Sequence, residues 1–493
     1  MAFGGAFRRP QSLSNTSREF GSSQSGTEIP EFRQAVAESR SHILKKRESD
    51  LAADFHQLKL QSEVVGPHGQ SEVVGSHGQS ATVLHLTAEV SRSHDVTAVL
   101  QGESAASIRC EDIQWVFQMI NEHMETSYLY RLEYDSLLGF TIGKDFGTAY
   151  AMLRPLWRCF EGHGVLGTAQ KEMDNWRAFL HARRKGAIHR DKIGVTMIID
   201  PYQIPPRRVW DLYANRVVDY AYCSFTGSNG WESFVNDQVV SSAGRKLCAI
   251  SHAWTDDTQT IMTPINGGQW PVTIPVGVDL ESIRREVLAL GVQYCWLDVL
   301  CLRQGVEWDL RKEEWRIDVP TIGNVYREKA DTFVLRYYNG LGRCFDNNPA
   351  LLDGKRHWKN RVWTVQESTG NYMVGGRREK GQDIERDFLQ LAVECVMHPH
   401  TMNCFIKERD RLFYALLLIH GRQATNEIDK ITSISYILRC PTLPAYDIDE
   451  KPEDAWGLCI SHMPRWGRGE LLFRYPVPSD QQESQRRWCP SWE

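Results

Sequence analysis

The chain has 493 residues, 42% of them hydrophobic and 24% charged, with a formal net charge of -5. That length exceeds one compact core and predicts two or three domains with linkers. The mild acidity argues against a whole-protein nucleic-acid binder, and no apolar run approaches the ~20 residues that cross a bilayer. The 12 cysteines are scattered without a CxxC pair. That pattern reads as reduced, mostly buried thiols in an intracellular, cytoplasmic protein rather than a disulfide framework.

Residues 1–108 are rich in Ser, Gly, Gln and His and poor in aromatics. Such a segment buries too little apolar surface to offset its ordering entropy and is expected to be disordered. Met1–Phe7 lacks the apolar stretch of a secretory signal. A nine-residue tandem repeat, Gln61–Gly69 and Gln70–Gly78, reads as a local duplication in a tolerant linker, since two copies are too few for a solenoid.

Residues 109–235 are expected to form a helical region. Ile113, Val116, Phe117, Ile120 and Met124 follow helical spacing, as do Ala151 to Phe160 and Met173 to Leu180. Pro205-Pro206 breaks the pattern before a helix-like Val209 to Tyr213.

From 236 to 380 the pattern alternates between strand and helix. Leu247 to Ile250, Tyr294 to Leu300 and Thr332 to Tyr338 read as buried strands. Between them lie a helix capped by Asp279 and ended by Gly291, and a shorter one around Ile322, Val325 and Tyr326. Trp358 to Glu367 reads as a further helix. This order predicts an α/β domain with a central parallel sheet flanked by helices. Residues 381–493 read as mostly helical, through Leu389, Leu391 and Val393 and the apolar run Phe413 to Ile419, with Pro441, Pro444 and Pro452 as punctuation. Trp488-Cys489-Pro490-Ser491-Trp492 reads as an element in mid-course, so a longer natural product is expected.

Three Trp-bearing blocks sit where such a fold ends a strand or opens a helix: Ser251-His252-Ala253-Trp254, then Trp296 to Gln304, then Trp358 to Glu367. In open parallel sheets, ligands bind beyond the carboxyl ends of the strands. Ser251, His252, Trp254, Asp298, Arg303 and Glu367 therefore form the candidate site. Each has a plainer reading. Trp254, Trp296 and Trp363 read first as core aromatics, and His252 as a hydrogen-bonded turn histidine. Asp298 can pair with Arg303 or cap a helix, and Glu367 can pair with Arg361 or face solvent. A further set, Cys395, His398, His400 and Cys404, has zinc-like ligand types, but Pro399 and an adjoining helix favour a loop corner, and no metal is expected.

The three blocks, in this order, resemble the fungal heterokaryon-incompatibility (HET) domain. The likeness rests on Ser251 and Trp254, on Trp296, Asp298, Cys301 and Gln304, and on Arg361, Val362, Trp363, Gln366 and Glu367. It covers about 130 residues of the 493. Arg303 stands where many members have Asp. Pro205 to Tyr213 and Asp309 to Tyr326 look like the variety found in mushroom-type (basidiomycete) fungi. The resemblance implies an effector or regulator of non-self recognition and programmed cell death, with protein partners in incompatibility signalling, self-association left open, and no cofactor required. HET domains are in turn distantly similar to Toll/interleukin-receptor (TIR) domains. Some of these cleave NAD with a glutamate in a Trp-x-x-x-Glu setting, which Trp363 to Glu367 matches. On that likeness Glu367 would be the catalytic carboxylate, with Asp298 orienting substrate. Ser251, Trp254 and Trp363 would line the place for NAD, a substrate. A non-enzymatic interaction scaffold is the remaining reading.

Overall fold

The strand Leu247–His252 (β5) lies at the centre of the fold, and every residue in it from Cys248 onward is buried. A strand covered on both faces needs an apolar run such as Leu247 to Ile250, after which Ser251 and His252 are the polar exceptions. The described residues form ten other strands: β1 (Ile188–Arg190), β2 (Thr196–Ile199), β3 (Arg208–Asp211), β4 (Arg216–Asp219), β6 (Thr258–Ile261), β7 (Val272–Pro275), β8 (Tyr294–Trp296), β9 (Thr332–Tyr337), β10 (Tyr372–Val374) and β11 (Thr442–Pro444); β1, β2 and β11 make one small sheet, β6 and β7 another, and the rest join β5. The computed structural model describes residues 121, 143–157, 166–190, 192, 194–225, 247–305, 308–327, 332–345, 357–368, 372–376 and 411–474. All of them lie within residues 75–493, one of the chain's two units. The N-terminal segment 1–108, the tandem repeat, the 389–393 helix start, the Cys395–Cys404 set and the terminal Trp488–Trp492 run lie outside the described residues. So does the Ile113–Met124 helix except for Asn121, which is helical.

The central sheet has the strand order β10-β9-β5-β8-β3-β4. The first four strands are parallel. β3 runs antiparallel to both β8 and β4, so the expected parallel sheet is a mixed one. The cause is local. Asp211 accepts hydrogen bonds from the Tyr213 and Ala214 amides, both at 3.0 Å, and Asn215 takes the left-handed φ of 51°. This closes a tight turn, and a tight turn joins antiparallel strands only. The stretch Val209 to Tyr213, which reads as helix-like, is therefore strand and turn. For the same reason 109–235 is not simply helical: it holds β1 to β4, and a boundary at 235 would cut β3 and β4 from the sheet they complete.

Helices α1 (Phe146–Trp157), α2 (Leu166–Ala187), α3 (Tyr220–Ser224) and α4 (Leu280–Ala289) pack with the sheet in one hydrophobic core. In α4, Asp279 caps the Glu281 and Ser282 amides. Gly291 follows it at φ 72°, the left-handed conformation that ends helices and suits glycine. The chain then forms α5 (Asp298–Cys301), α6 (Trp308–Asp318) and α7 (Gly323–Tyr326), and beyond the sheet α8 (Arg411–Ile419), α9 (Glu427–Ile437), α10 (Pro452–His462) and α11 (Arg465–Arg474). A second core gathers α8 to α11 with Ile198, Ile317, Val362 and Val365. Among the described residues, no helix is long and apolar enough to cross a membrane.

Trp358 to Glu367 is not one helix. It makes two short 3-10 turns, Trp358–Asn360 and Trp363–Val365. Gln423 explains the break: its amide donates to the Asn360 carbonyl and its carbonyl accepts from the Val362 amide. A backbone group used this way is lost to a helical ladder.

Candidate functional site

In chain order the parallel strands β5, β8, β9 and β10 take the arrangement β8-β5-β9-β10. The chain leaves β5 toward β8, then returns past β5 to reach β9. The crevice between the carboxyl ends of β5 and β9 is thus the switch point of the sheet, where ligands of open α/β folds bind. Register puts Ser251 beside Arg336 and His252 beside Tyr337, and Arg336 beside Val374 of β10. Side chains alternate along strands, so Ser251, Arg336 and Tyr372 share one face. Tyr337 points to the other, where its hydroxyl donates to Glu286 of α4 at 2.7 Å.

Ser251 is the hub of that face. Its hydroxyl donates to Glu367 Oε2 at 2.5 Å and accepts from the Trp358 indole N–H at 2.6 Å. Ser251 is 1% exposed and Glu367 8%. Burial pushes the Glu367 carboxyl up to about 7; the Ser251 hydrogen bond opposes this, the Asp298 charge adds to it, and His252 and Arg336 oppose it. The turn carrying Glu367 is held by Thr364, whose hydroxyl bonds the Trp358 carbonyl at 2.8 Å, and by Ser368, which bonds the Thr364 carbonyl at 2.9 Å.

Beside this hub lies an imidazole–carboxylate pair. His252 Nε2 is 2.8 Å from Asp298 Oδ1, and its Nδ1 is 3.2 Å from the Ala253 carbonyl. Two acceptors facing both ring nitrogens favour the doubly protonated ring. Burial works against that charge, but Asp298 and Glu367 outweigh it and the His252 pKa is raised. Burial likewise opposes the Asp298 charge, and His252, the Val299 amide and Trp254 hold it below its ordinary value nonetheless. The Val299 amide lies 2.7 Å from Asp298, and the Trp254 ring stacks on His252 at 5.9 Å. Asp298 and Trp254 are the less buried members and form the rim.

The third feature is a cation. Arg336 is fully buried, with Trp358 and Tyr372 against its guanidinium at 4.2 and 3.9 Å from ring centroid to Cζ. Its Nη1 donates to the Tyr338 hydroxyl at 3.3 Å.

Ser251, Asp298 and Glu367 are therefore brought together, with Trp254 at the edge. Trp363 goes elsewhere: its ring packs between the two hydrophobic cores and it lies beside Asp429 of α9, whose charged form it favours. Arg303 does not pair with Asp298; it meets Glu314 at 3.4 Å and lies over Trp270. Trp296 is a core residue, edge-on to Tyr326, and Cys301 is a buried thiol pushed up to about 12, unsuited to nucleophilic work. Arg336 and the His252–Asp298 pair were not foreseen. The available signal was a charge inside the otherwise apolar strand Thr332–Tyr337, since an arginine there must be buried with a purpose. Among the described residues, no three His, Cys, Asp or Glu side chains converge as metal ligands. No protein-family model matches the chain, and neither a curated protein nor a solved structure does.

Proposed function

We propose that the chain is a HET-domain effector or regulator of fungal non-self recognition and programmed cell death, with a TIR-like α/β unit whose strand-end crevice cleaves NAD. The carrying observation is the seat of Glu367, a buried carboxyl hydrogen-bonded to Ser251 at the switch point of the sheet. Hydrolysis breaks the C1′–N bond between ribose and nicotinamide. The bonding pair leaves with nicotinamide, which departs neutral, and an oxocarbenium-like ribose remains. Ionised Glu367 stabilises that positive charge and accepts a proton from the water that adds to C1′. A carboxyl shifted toward neutrality suits the second role better than an ordinary glutamate. Trp254 offers an aromatic face at the rim. The full-length protein should release nicotinamide from NAD, and Glu367→Gln should abolish release while leaving the far-UV spectrum intact. Release that persists in full with Glu367→Gln removes Glu367 from the reaction.

A second reading, an interaction scaffold, is favoured by the burial of the same groups. Ser251, Glu367 and Trp358 satisfy one another and tie residues 357–368 to the sheet. On this reading Ser251→Ala lowers the melting temperature, and the wild type leaves NAD untouched.

A further inference from the structure

Arg336 has two donors with nothing to bind. Nη1 is used by Tyr338, but Nε and Nη2 are buried and have no hydrogen-bond partner. These are not two random N–H groups. In a planar guanidinium the Nε hydrogen and one Nη2 hydrogen point the same way along one edge, the fork that grips two oxygens of a carboxylate or phosphate. The ring contacts of Trp358 and Tyr372 cover the guanidinium and fix its plane, so the fork is ordered in advance of any ligand. A buried charge left without an acceptor is costly, and Glu367, although its charge is felt by Arg336, makes no hydrogen bond to it and accepts one from Ser251 instead. The adjoining Gln366 is also buried, with both its amide oxygen and its amide nitrogen unpartnered. Unmet hydrogen-bonding capacity thus appears twice on the elements that build the crevice.

We propose that the Nε/Nη2 edge of Arg336 is an oxyanion-binding site, taking a phosphate group in bidentate fashion. The site does not depend on NAD being cleaved: a chain that binds a phosphate and leaves NAD intact would still have it. Its ligand is either the phosphate of a nucleotide or a free inorganic oxyanion. The half-buried Tyr372, on the edge strand β10, is the part of the cage nearest to solvent.

Calorimetric titration of the full chain with sulfate and with ADP tests the proposal. Sulfate carries the same oxygens and does not titrate near neutral pH. Binding of both at similar affinity marks a free-anion site, and ADP binding at least tenfold tighter marks a nucleotide site. Arg336→Lys keeps the charge and loses the fork, so it should weaken either ligand at least tenfold. The idea is overturned if neither probe binds the wild type, or if Arg336→Lys folds and binds as well as the wild type. Should Arg336→Lys not fold, the Arg336 Nε–H resonance of the wild type decides. It must move on addition of the probe that binds, and a stationary resonance overturns the proposal.

Discussion

Ser251 and Glu367 are 116 residues apart in sequence and 2.5 Å apart in space. The bond joins the central strand of the sheet to a segment that also belongs to the second core, through Val362 and Val365.

Stability should fall as pH rises from about 4.5 to about 7. The folded-state pKa of Glu367 is raised to about 7 from 4.5, so the folded protein holds a proton the unfolded chain releases. That contribution is complete below the unfolded value and lost as pH passes the folded one, to the extent of about 3 kcal/mol. His252, whose pKa is also raised, acts in the same direction at slightly higher pH. In Glu367→Gln the Glu367 part disappears. Urea midpoints measured at several pH values between 5 and 8 should flatten in the variant, and a slope equal to the wild type's would show that Glu367 titrates normally.

Asp298→Asn should destabilise more at pH 6 than at pH 8. The Asp298 charge supports the protonated His252. That support is present below the unfolded histidine value and fades as pH rises through the folded one. A loss of about 1–3 kcal/mol at the lower pH is expected for a partly buried charged hydrogen bond. Equal losses at both pH values would mean that the ring is neutral throughout.

Gly291→Val should destabilise by about 1–2 kcal/mol, because a β-branched residue is held at φ 72°. Thermal melting of the full chain checks this, and an unchanged midpoint refutes it.

The elements legible in the sequence were those with a local physical cause. Asp279 and Gly291 mark the ends of α4 because capping and left-handed φ are properties of single residues. β5 and β9 are visible because strands buried on both faces need apolar runs, here Leu247 to Ile250 and Phe333 to Leu335. What escaped depends on partners far along the chain. The Trp358 to Glu367 segment has helical composition, yet Gln423 takes its backbone groups. Val209 to Tyr213 has helical spacing, yet Asp211 folds it into a turn locked by Arg154 at 2.6 Å. At the site, the pattern placed Ser251, Asp298 and Glu367 near one another through strand-end logic alone. It could not show that His252 rather than Arg303 is the partner of Asp298, because the arginine is drawn away to Glu314 by α6.

Gly323→Ala should loosen the join between α7 and α9. A Cβ at Gly323 would meet the Tyr436 ring at contacts well inside van der Waals distance, and that ring is fixed by its hydroxyl bond to Asn324 at 3.0 Å. Overpacking of this kind costs about 1–3 kcal/mol. The melting temperature should drop, and pairing the change with Tyr436→Leu should recover part of the loss. No recovery would place the clash elsewhere.

Trp363→Phe separates structural from catalytic tryptophans. Trp363 lies between the two cores and beside the buried Asp429, whereas Trp254 stacks on His252 and lies beside Asp298 at the rim. Phenylalanine keeps most of the buried area at 363 and removes the N–H. Asp429 keeps its hydrogen bond from the Tyr446 hydroxyl at 2.8 Å and loses only the nearby polar indole, so the loss of stability should stay at or below about 1 kcal/mol. If the crevice cleaves NAD as proposed, release of nicotinamide, measured well below the melting temperature, should stay at the wild-type rate in Trp363→Phe. Trp254→Ala should raise KM for NAD, because the aromatic face at the rim is gone, and should lower kcat by disturbing Asp298. If the roles are reversed, with release lost in Trp363→Phe and kept in Trp254→Ala, the substrate enters from the side of α9 and the strand-end crevice is not the site.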